Sequence, residues 1–517
     1  MSERRNVLFV TGDQWRGDWL CGRPQRSLST PNLAALASEG MGFSRHYSQA
    51  CPCGPARASL LTGLYPHNHR SIRNGTPLDA RHSNLALEAR RAGFDPMLFG
   101  YTDSSADPRG RNPEDPALRT YQGVLPGFSA GCVINDDQAW SWVGHLQRQG
   151  YSVSRAPLGV YRPPPGSEVP YGQGHSAATP CYRAQDSDTA FLTDRVLDYL
   201  GAQDGAPWFV HLSYLRPHPP WYVPSPYNRM YSPNDMPAVI RADSVAQEAG
   251  QHPYLAHWLE AQNRPGVQMG HPHNLQRASA HEIRQLRATY SGLISEVDHH
   301  LGRVLDHLRQ SGQWDHTLVV FTADHGEMLG DHWLFGKGGY FDASYHVPLI
   351  IREPNRPAHH GKRVDAFTEA VDVMPTVLDW LGIQVPIACD GRSLGPLLAG
   401  EMPDRWRKEV HWAFDFRDPV TQSAEAALGL SSDQCGLNVI RDASFKYVHF
   451  TALPALLFDL RQDPDEFHNL AKDPAHREQM LHYAQKLLSW RMEHEERVLS
   501  NTLLTADGPV TQRFPRV

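Results

Sequence analysis

The sequence predicts an α/β fold, with a large mixed, mostly parallel sheet sandwiched by helices and a smaller C-terminal α+β subdomain. Three observations lead there. Short apolar runs alternate with helix-like runs over the first two-thirds of the chain, as they do in sheets covered by helices. Acidic and histidine residues recur just past the carboxyl ends of those runs, the edge at which open α/β sheets bind ligands. From about residue 386 the pattern changes to short strand-like pieces and one helix.

Taken in order, residues 6–10 read as a buried strand ending at Thr11-Gly12-Asp13-Gln14. Thr30-Pro31 supplies an N-cap and a first-turn proline for a helix through Leu33, Leu36 and Ala37. Strands are expected at 97–99, 208–212, 317–321 and 347–351. Between the second and third of these, apolar residues at 283, 286, 290, 293, 297, 301, 304 and 308 step by three and four, which predicts a long amphipathic helix. Strands at 446–450 and 457–460 and a helix around 474–494 belong to the second unit, so the division falls into 1–385 and 386–517. Segments 106–185 and 220–280 read as long loops over the site, and the last two dozen residues as an extended arm onto a neighbouring subunit.

Composition bounds the partners. Of the 517 residues, 40% are hydrophobic and 20% charged, ordinary for a globular protein. A net charge of −7 argues against nucleic-acid or anionic-membrane surfaces, so an anionic substrate needs a local positive cluster. No apolar run approaches the roughly 18 residues of a membrane span, and the run 7–10 is too short for a signal peptide. The seven cysteines are odd in number and scattered, which points to a reducing cytoplasm.

The most informative segment is Cys53-Gly54-Pro55-Ala56-Arg57, followed by Ala58-Ser59-Leu60-Leu61-Thr62-Gly63. Pro55 suits the first turn of a helix whose N-terminus would favour an anion beside Cys53, and Arg57 adds charge one turn on. Taken alone, such a cysteine is more often a buried structural residue.

The whole string resembles the signature of the formylglycine sulfatase family of the alkaline phosphatase superfamily, C-x-P-x-R with a leucine-rich turn and T-G. Asp13-Gln14, Ala323-Asp324-His325-Gly326-Glu327, Gly336-Lys337-Gly338, Val347-Pro348, Asp372-Val373-Met374-Pro375-Thr376 and Leu457-Phe458-Asp459-Leu460 are similar to further family landmarks, in the same order. The resemblance implies an alkaline-phosphatase-like sheet and a Cys53 oxidised to formylglycine by a formylglycine-generating or sulfatase-maturating enzyme. One hydroxyl of the hydrated aldehyde attacks sulfur or phosphorus, and the other lets the product leave. It also implies one divalent ion on Asp13, Gln14, Asp324, His325 and residue 53. Arg57 and Lys337 would offset charge on the non-bridging oxygens, and His218 would stand near the leaving oxygen as a general acid.

Departures from the usual sulfatase pattern refine this. Gln14 and His325 stand where sulfatases have Asp and Asn, which resembles the phosphonate monoester hydrolase branch. A ligand nitrogen tilts the metal toward Mn²⁺ over Ca²⁺. Where many sulfatases have G-K-x-H, this chain has Gly100-Tyr101-Thr102-Asp103, and Asn74 also resembles that branch. Tyr101, Asp103 and Asn74 are therefore expected at the substrate, in a site suited to monoanions. The leading expectation is an arylsulfatase-type hydrolase of sulfate monoesters, with phosphonate monoesters or phosphodiesters as the alternative primary substrates. A small anionic ester is the expected partner, in a homo-oligomer, with Trp140, Trp142, Trp208 and Trp221 as candidate walls of an aryl pocket. A non-catalytic relative of the same fold is the third reading. The intact Cys53, both ligand pairs, His218 and Lys337 count against it.

Overall fold

The structure, a computed structural model, describes residues 5–21, 28–135, 139–154, 157–170, 172–269 and 271–512. Eight strands form the main sheet: β1 Asn6–Asp13, β2 Met41–Tyr47, β3 Pro96–Gly100, β4 Ser129–Val133, β5 Phe209–Pro217, β6 Thr317–Ala323, β7 Leu349–Arg352 and β8 Lys362–Glu369. Their order is β4-β3-β5-β1-β6-β7-β2-β8, and only β7 runs against its neighbours. The expected mixed, mostly parallel sheet is present.

β1 and β6 are buried along their whole length, which is why they read as unbroken apolar runs. Val7 and Phe9 face a core shared with Leu60, Leu85 and Val377, from the helices Cys53–Thr62, Leu85–Arg91 and Val373–Leu381. Leu8 and Val10 face the opposite core, with Val196 of the helix Asp188–Gly201 and Leu293, Val297 and Leu301 of the helix Ala280–Gln310. That last helix is the one its three-and-four spacing predicts. Truncating Leu301, which has no solvent exposure, to Ala would cost about 2–5 kcal/mol.

Several elements differ from expectation. β2, β4 and β8 are additional strands; β4 and β8 are the sheet edges, where exposed and polar residues blur the apolar pattern. The strand expected from 347 starts at Leu349, because Pro348 has no N–H to donate. Thr30 makes no side-chain cap. Asp298 of the long helix does that work from a distance, accepting from the backbone N–H of Leu33 at 2.7 Å and Asn32 at 3.2 Å. Segment 106–185 holds β4 and the helix Trp140–Arg148, and 220–280 holds the helices Val245–Ala249 and Pro253–Gln262, so neither is all loop.

The C-terminal part is an antiparallel sheet of β9 Glu409–Asp415, β10 Gly436–Asp442, β11 Phe445–Phe450 and β12 Leu456–Asp459. The helix Arg477–Glu493 packs on it through Tyr483 and Leu487. Lys446, fully buried, pairs at 2.5 Å with Asp342 of the short helix Asp342–Tyr345 ahead of β7, and at 2.6 Å with Glu466 of the C-terminal part. Within the stretch expected to be an extended arm, the last described residues form a hairpin of β13 Thr502–Thr505 and β14 Gly508–Thr511; residues 513–517 lie outside the described ones. No described helix is long and apolar enough to cross a membrane.

Candidate active site at the carboxyl edge of the sheet

Register brings the candidate residues together. β1 pairs with β6 so that Gly12 lies opposite Ala323, and with β5 so that Asp13 lies opposite Pro217. Asp13, Asp324 and His218 therefore emerge side by side from three adjacent parallel strands. β3 adds Tyr101 from the next position. Gly100 permits this with φ +107°, where an added Cβ would lie 2.0 Å from the carbonyl oxygen of Ser213.

Cys53 opens the helix Cys53–Thr62, all ten residues of which are buried. Its N-cap, Pro52, offers no side-chain bond, and Asn74 supplies one instead, its Oδ1 accepting from Gly54 N–H at 2.9 Å. Gly63 closes the helix in the left-handed conformation, φ +67°. If residue 53 is oxidised as the resemblance implies, Sγ of Cys53 stands in for an oxygen of the hydrated aldehyde. It lies 3.1 Å from Nε2 of His325 and 3.9 Å from Oδ1 of Asp13. Burial, reinforced by the Asp13 carboxylate, pushes the thiol well above its ordinary pKa.

Arg57 is placed differently from expectation. It is 2% exposed and its donors go to protein: Nε to Oδ2 of Asp324 (2.9 Å), Nη2 to Oδ2 of Asp13 (3.1 Å), and Nη1 to the Ser213 hydroxyl (2.7 Å) and Tyr101 carbonyl (2.9 Å). A buried guanidinium needs every partner it can reach, and here the partners are the two carboxylates. Its charge is thereby set between Asp13 and Asp324. Tyr101 and Asp103 gather round the same cation. The Tyr101 ring lies 4.2 Å from the guanidinium and its hydroxyl donates to Oδ2 of Asp13 at 2.5 Å. Asp103 Oδ2 lies 3.9 Å from Arg57 Nε. The sequence expects both residues at the substrate; the structure places both against Arg57, with Tyr101 also bonded to Asp13.

With Oδ2 of Asp13 and Oδ2 of Asp324 so occupied, each Oδ1 lies 3.8 Å from Nε2 of His325. Nδ1 of His325 is 3.0 Å from the Gly326 carbonyl, which can only accept, so Nδ1 carries the proton and Nε2 presents its lone pair. Ligand atoms of Asp13, Cys53, Asp324 and His325 all lie within 4.8 Å of one another. Two ligands on opposite sides of an ion at roughly 2.0–2.6 Å are roughly 4–5 Å apart, so the set fits a single divalent cation. The electrostatics agree. Burial, with the Asp13 charge behind it, pushes Asp324 up to about 7. Burial also works against Asp13, but His218, Arg57, His325 and Lys337 outweigh it and hold that carboxyl below its usual range. A cation between the two would relieve their repulsion.

Gln14 takes φ +64°, a left-handed conformation costing roughly 1–2 kcal/mol for an L residue. Its backbone N–H donates to Asp324 Oδ1 at 3.1 Å and its carbonyl accepts the Tyr290 hydroxyl at 2.7 Å. Its amide spans Lys337, which donates to Oε1, and Glu327, which accepts from Nε2. Burial pushes Glu327 up to about 7, against backbone donors at Leu329 and Gly336. Lys337 is held protonated, since Cys53, Asp13 and Asp324 outweigh the burial that opposes its charge. His218 is 3% exposed, and its Nδ1 donates to the Pro219 carbonyl at 2.7 Å, so Nε2 is the ring nitrogen on the side away from that carbonyl.

The tryptophans are a correction. Trp142, Trp208 and Trp221 are core residues at 0, 2 and 3% exposure, and Trp140 is a surface residue at 62%. Large apolar rings at those positions were recruited by packing. The aromatic groups that do meet the Lys337 loop are Phe414 and Trp258, 2.9 and 2.5 Å from where Cβ atoms on Gly338 and Gly339 would stand. Three further residues are given no role in the site by the sequence reading. Ser213 belongs with Thr11 and His211 to a polar file on one face of otherwise apolar strands, a usable signal. Glu327 closes the Asp324 motif. Tyr290 is concealed among the apolar positions of the long helix.

The chain matches the family model for sulfatases over residues 5–383, and that for the C-terminal region of N-sulphoglucosamine sulphohydrolase over 330–493. It is 44% identical over 515 residues to the multifunctional alkaline phosphatase superfamily protein PehA of Trinickia caryophylli, covering 98% of this chain and 99% of that one. Among solved structures, the phosphonate monoester hydrolase of Agrobacterium radiobacter is 47% identical, with a TM-score of 0.93 over 99% of this chain and 100% of that one. The phosphonate monoester hydrolase SpPMH of Silicibacter pomeroyi is 42% identical, with the same TM-score over 99% of each chain.

Proposed function

Since this chain belongs to the sulfatase family, we propose that it is a metal-dependent hydrolase of monoanionic phosphonate monoesters and phosphodiesters, which also cleaves sulfate monoesters, with formylglycine made from Cys53 as its nucleophile. The observation that carries this reading is the buried set Asp13, Cys53, Asp324 and His325 at the carboxyl edge of the sheet. The similarity to two phosphonate monoester hydrolases supports placing phosphorus esters first, which reverses the order expected from the sequence. The match to the sulfatase family model favours the second reading, sulfate monoesters as primary substrates.

Asp13, Gln14, Asp324 and His325 would hold the ion, and the one nitrogen among oxygens favours Mn²⁺ over Ca²⁺. When bound, it supplies Lewis acidity to the ester oxygens. The chain's own residues do the rest. Arg57 and Tyr101 turn Asp13 so that Oδ1 faces inward. Lys337 brings a fixed positive charge beside residue 53 for a non-bridging oxygen. Asn74 holds the first amide of the helix behind the nucleophile. His218, with Nδ1 fixed on a carbonyl, presents Nε2 to protonate the leaving oxygen. Phenol at 101 in place of a lysine lowers the positive charge, which suits substrates carrying one negative charge.

The same reading treats 1–385 as the catalytic unit and 386–517 as a smaller unit packed on it, in a homo-oligomer. Its partner in maturation is an enzyme that oxidises Cys53. The free thiols at Cys51, Cys132, Cys181, Cys389 and Cys435 support a cytoplasmic setting. The deciding experiment is to compare kcat/KM for a phenyl phosphonate monoester, an aryl phosphodiester, an aryl sulfate and an aryl phosphate. Monoanionic phosphorus esters should lead; an aryl phosphate in first place would overturn the reading.

A further inference from the structure

We propose that Arg216 is the positioning residue that fixes His218 for proton delivery, an inference resting on the general-acid reading of His218 above. Arg216 is the last residue but one of β5 and is 1% exposed. Side chains alternate along that strand. Ser213 faces Arg57, so Leu212, Tyr214 and Arg216 face the core on the other side of the sheet. From there the guanidinium turns up past the end of the strand, and Nη1 donates to the carbonyls of His218 at 3.1 Å and Pro220 at 2.9 Å. The carbonyl between those two, on Pro219, is the one that accepts from His218 Nδ1 at 2.7 Å. One cation thus holds both flanks of the peptide oxygen that orients the imidazole.

What lies behind Arg216 completes the device. Its Nε is 3.5 Å from Oδ2 of Asp188, its plane lies 4.3 Å over the Tyr161 ring, and Glu296 of the long helix is a second buried acid acting on it. Burying this set is costly, and an apolar side chain would fill the place among Tyr161, Tyr182 and Tyr214 with less desolvation. Its return is a rigid loop. As the bond from phosphorus or sulfur to the leaving oxygen breaks, its electron pair stays on that oxygen and takes the Nε2 proton. The N–H pair stays on nitrogen, leaving neutral imidazole. The transfer depends on sub-ångström placement, and a displacement of about 1 Å can cost on the order of 100-fold in rate.

The test is a series of aryl esters with leaving phenols of graded acidity, run on the metal-loaded enzyme. Arg216→Met should slow the poorest leaving groups roughly 10- to 100-fold and barely affect the best, in kcat more than in KM. His218→Ala should steepen the same dependence, and the double variant should be no steeper than His218→Ala. Arg216→Lys keeps the charge beside Asp188 but loses the planar guanidinium, stacked on Tyr161, that sets where Nη1 meets the two carbonyls. It should also steepen the dependence, and it serves as the test if the methionine variant does not fold. A uniform loss across the series in the Arg216 variants, with His218→Ala steep, would overturn the inference while leaving His218 a general acid. If His218→Ala leaves the dependence unchanged, the general-acid reading falls, and the positioning role with it.

Discussion

Nε of Arg57 donates to Oδ2 of Asp324 at 2.9 Å, with both side chains sealed from solvent, while Nη2 of the same guanidinium reaches Asp13 at 3.1 Å. The arginine of the helix motif is thus a strut between the carboxylates that precede and follow it in sequence. Arg57→Met leaves two buried acids without their shared cation, a loss of about 3–5 kcal/mol by analogy with broken buried pairs. Denaturant melts should show that loss largest in chelator and smaller with saturating Mn²⁺, which supplies positive charge to the same oxygens. Equal losses in both conditions would separate Arg57 from the metal site.

Replacement of the nucleophile tests the modification directly. Cys53→Ala should lose roughly 10³- to 10⁶-fold in turnover while still binding the ion. Cys53→Ser retains one hydroxyl but has no second one to expel the product, so intact mass should show a covalent sulfuryl or phosphoryl ester. The wild-type peptide bearing residue 53 should have the mass of the aldehyde or its hydrate. A fully active enzyme carrying the thiol would contradict this.

Metal content should follow Asp324 and Glu327 to different degrees. Asp324→Asn removes an anionic ligand and should lose most of the bound ion on elemental analysis. Glu327→Ala removes no expected ligand but the acceptor of the Gln14 amide and of the backbone N–H groups of Leu329 and Gly336, and should weaken binding about 10- to 100-fold. Ion content unaffected by either change would place the metal elsewhere.

Selectivity should follow residue 101. Tyr101→Lys adds a cation beside Asp13, and one formal charge in a water-poor site can be worth roughly 100-fold in rate. The ratio of kcat/KM for aryl phosphate, largely a dianion, to that for the phosphonate monoester should rise. Tyr101→Phe removes only the bond to Asp13 and should lower all substrates together. A lysine variant with wild-type ratios would mean that charge at 101 does not reach the ester.

Glu296 gives a pH signature away from the chemistry. Burial, with Asp188 behind it, pushes it up to about 8 from the ordinary 4.5 of a glutamate. Between those values the folded protein keeps a proton that the unfolded chain has lost, so stability falls as pH rises, by at most about 1.4 kcal/mol per unit. Glu296→Gln removes this contribution. The variant should gain on the wild type in denaturant melts as pH goes from 5 to 8, and a constant difference would show Glu296 already ionised.

Much of the site was legible because its residues sit at recognisable joints. Asp13, His218 and Asp324 follow apolar strands, and Cys53 and Arg57 lie one turn apart at a helix start. What was not legible is the direction in which each side chain spends its hydrogen bonds. Arg57 and Lys337 are both cations in the motif set, yet one turns into the protein and the other reaches Gln14 beside residue 53. Tyr101 reads as a neutral substitute for lysine, while its hydroxyl is committed to Asp13. β2 and β8 escaped because their polar and exposed positions weaken the alternation that marks a strand.

The sequence by itself determined five of the eight strands of the main sheet, the long helix, the family and the identity of the chemical groups. Strand burial, helical spacing and motif order are local properties that need no partner to be read. The tertiary structure alone decided which of those groups face the reaction and which support it. Ser213 and Tyr290 acquire meaning only through contacts with Arg57 and Gln14 more than a hundred residues away. The reason is physical: a buried charge must be neutralised by whatever the fold brings within about 3 Å, and that neighbourhood is a property of packing.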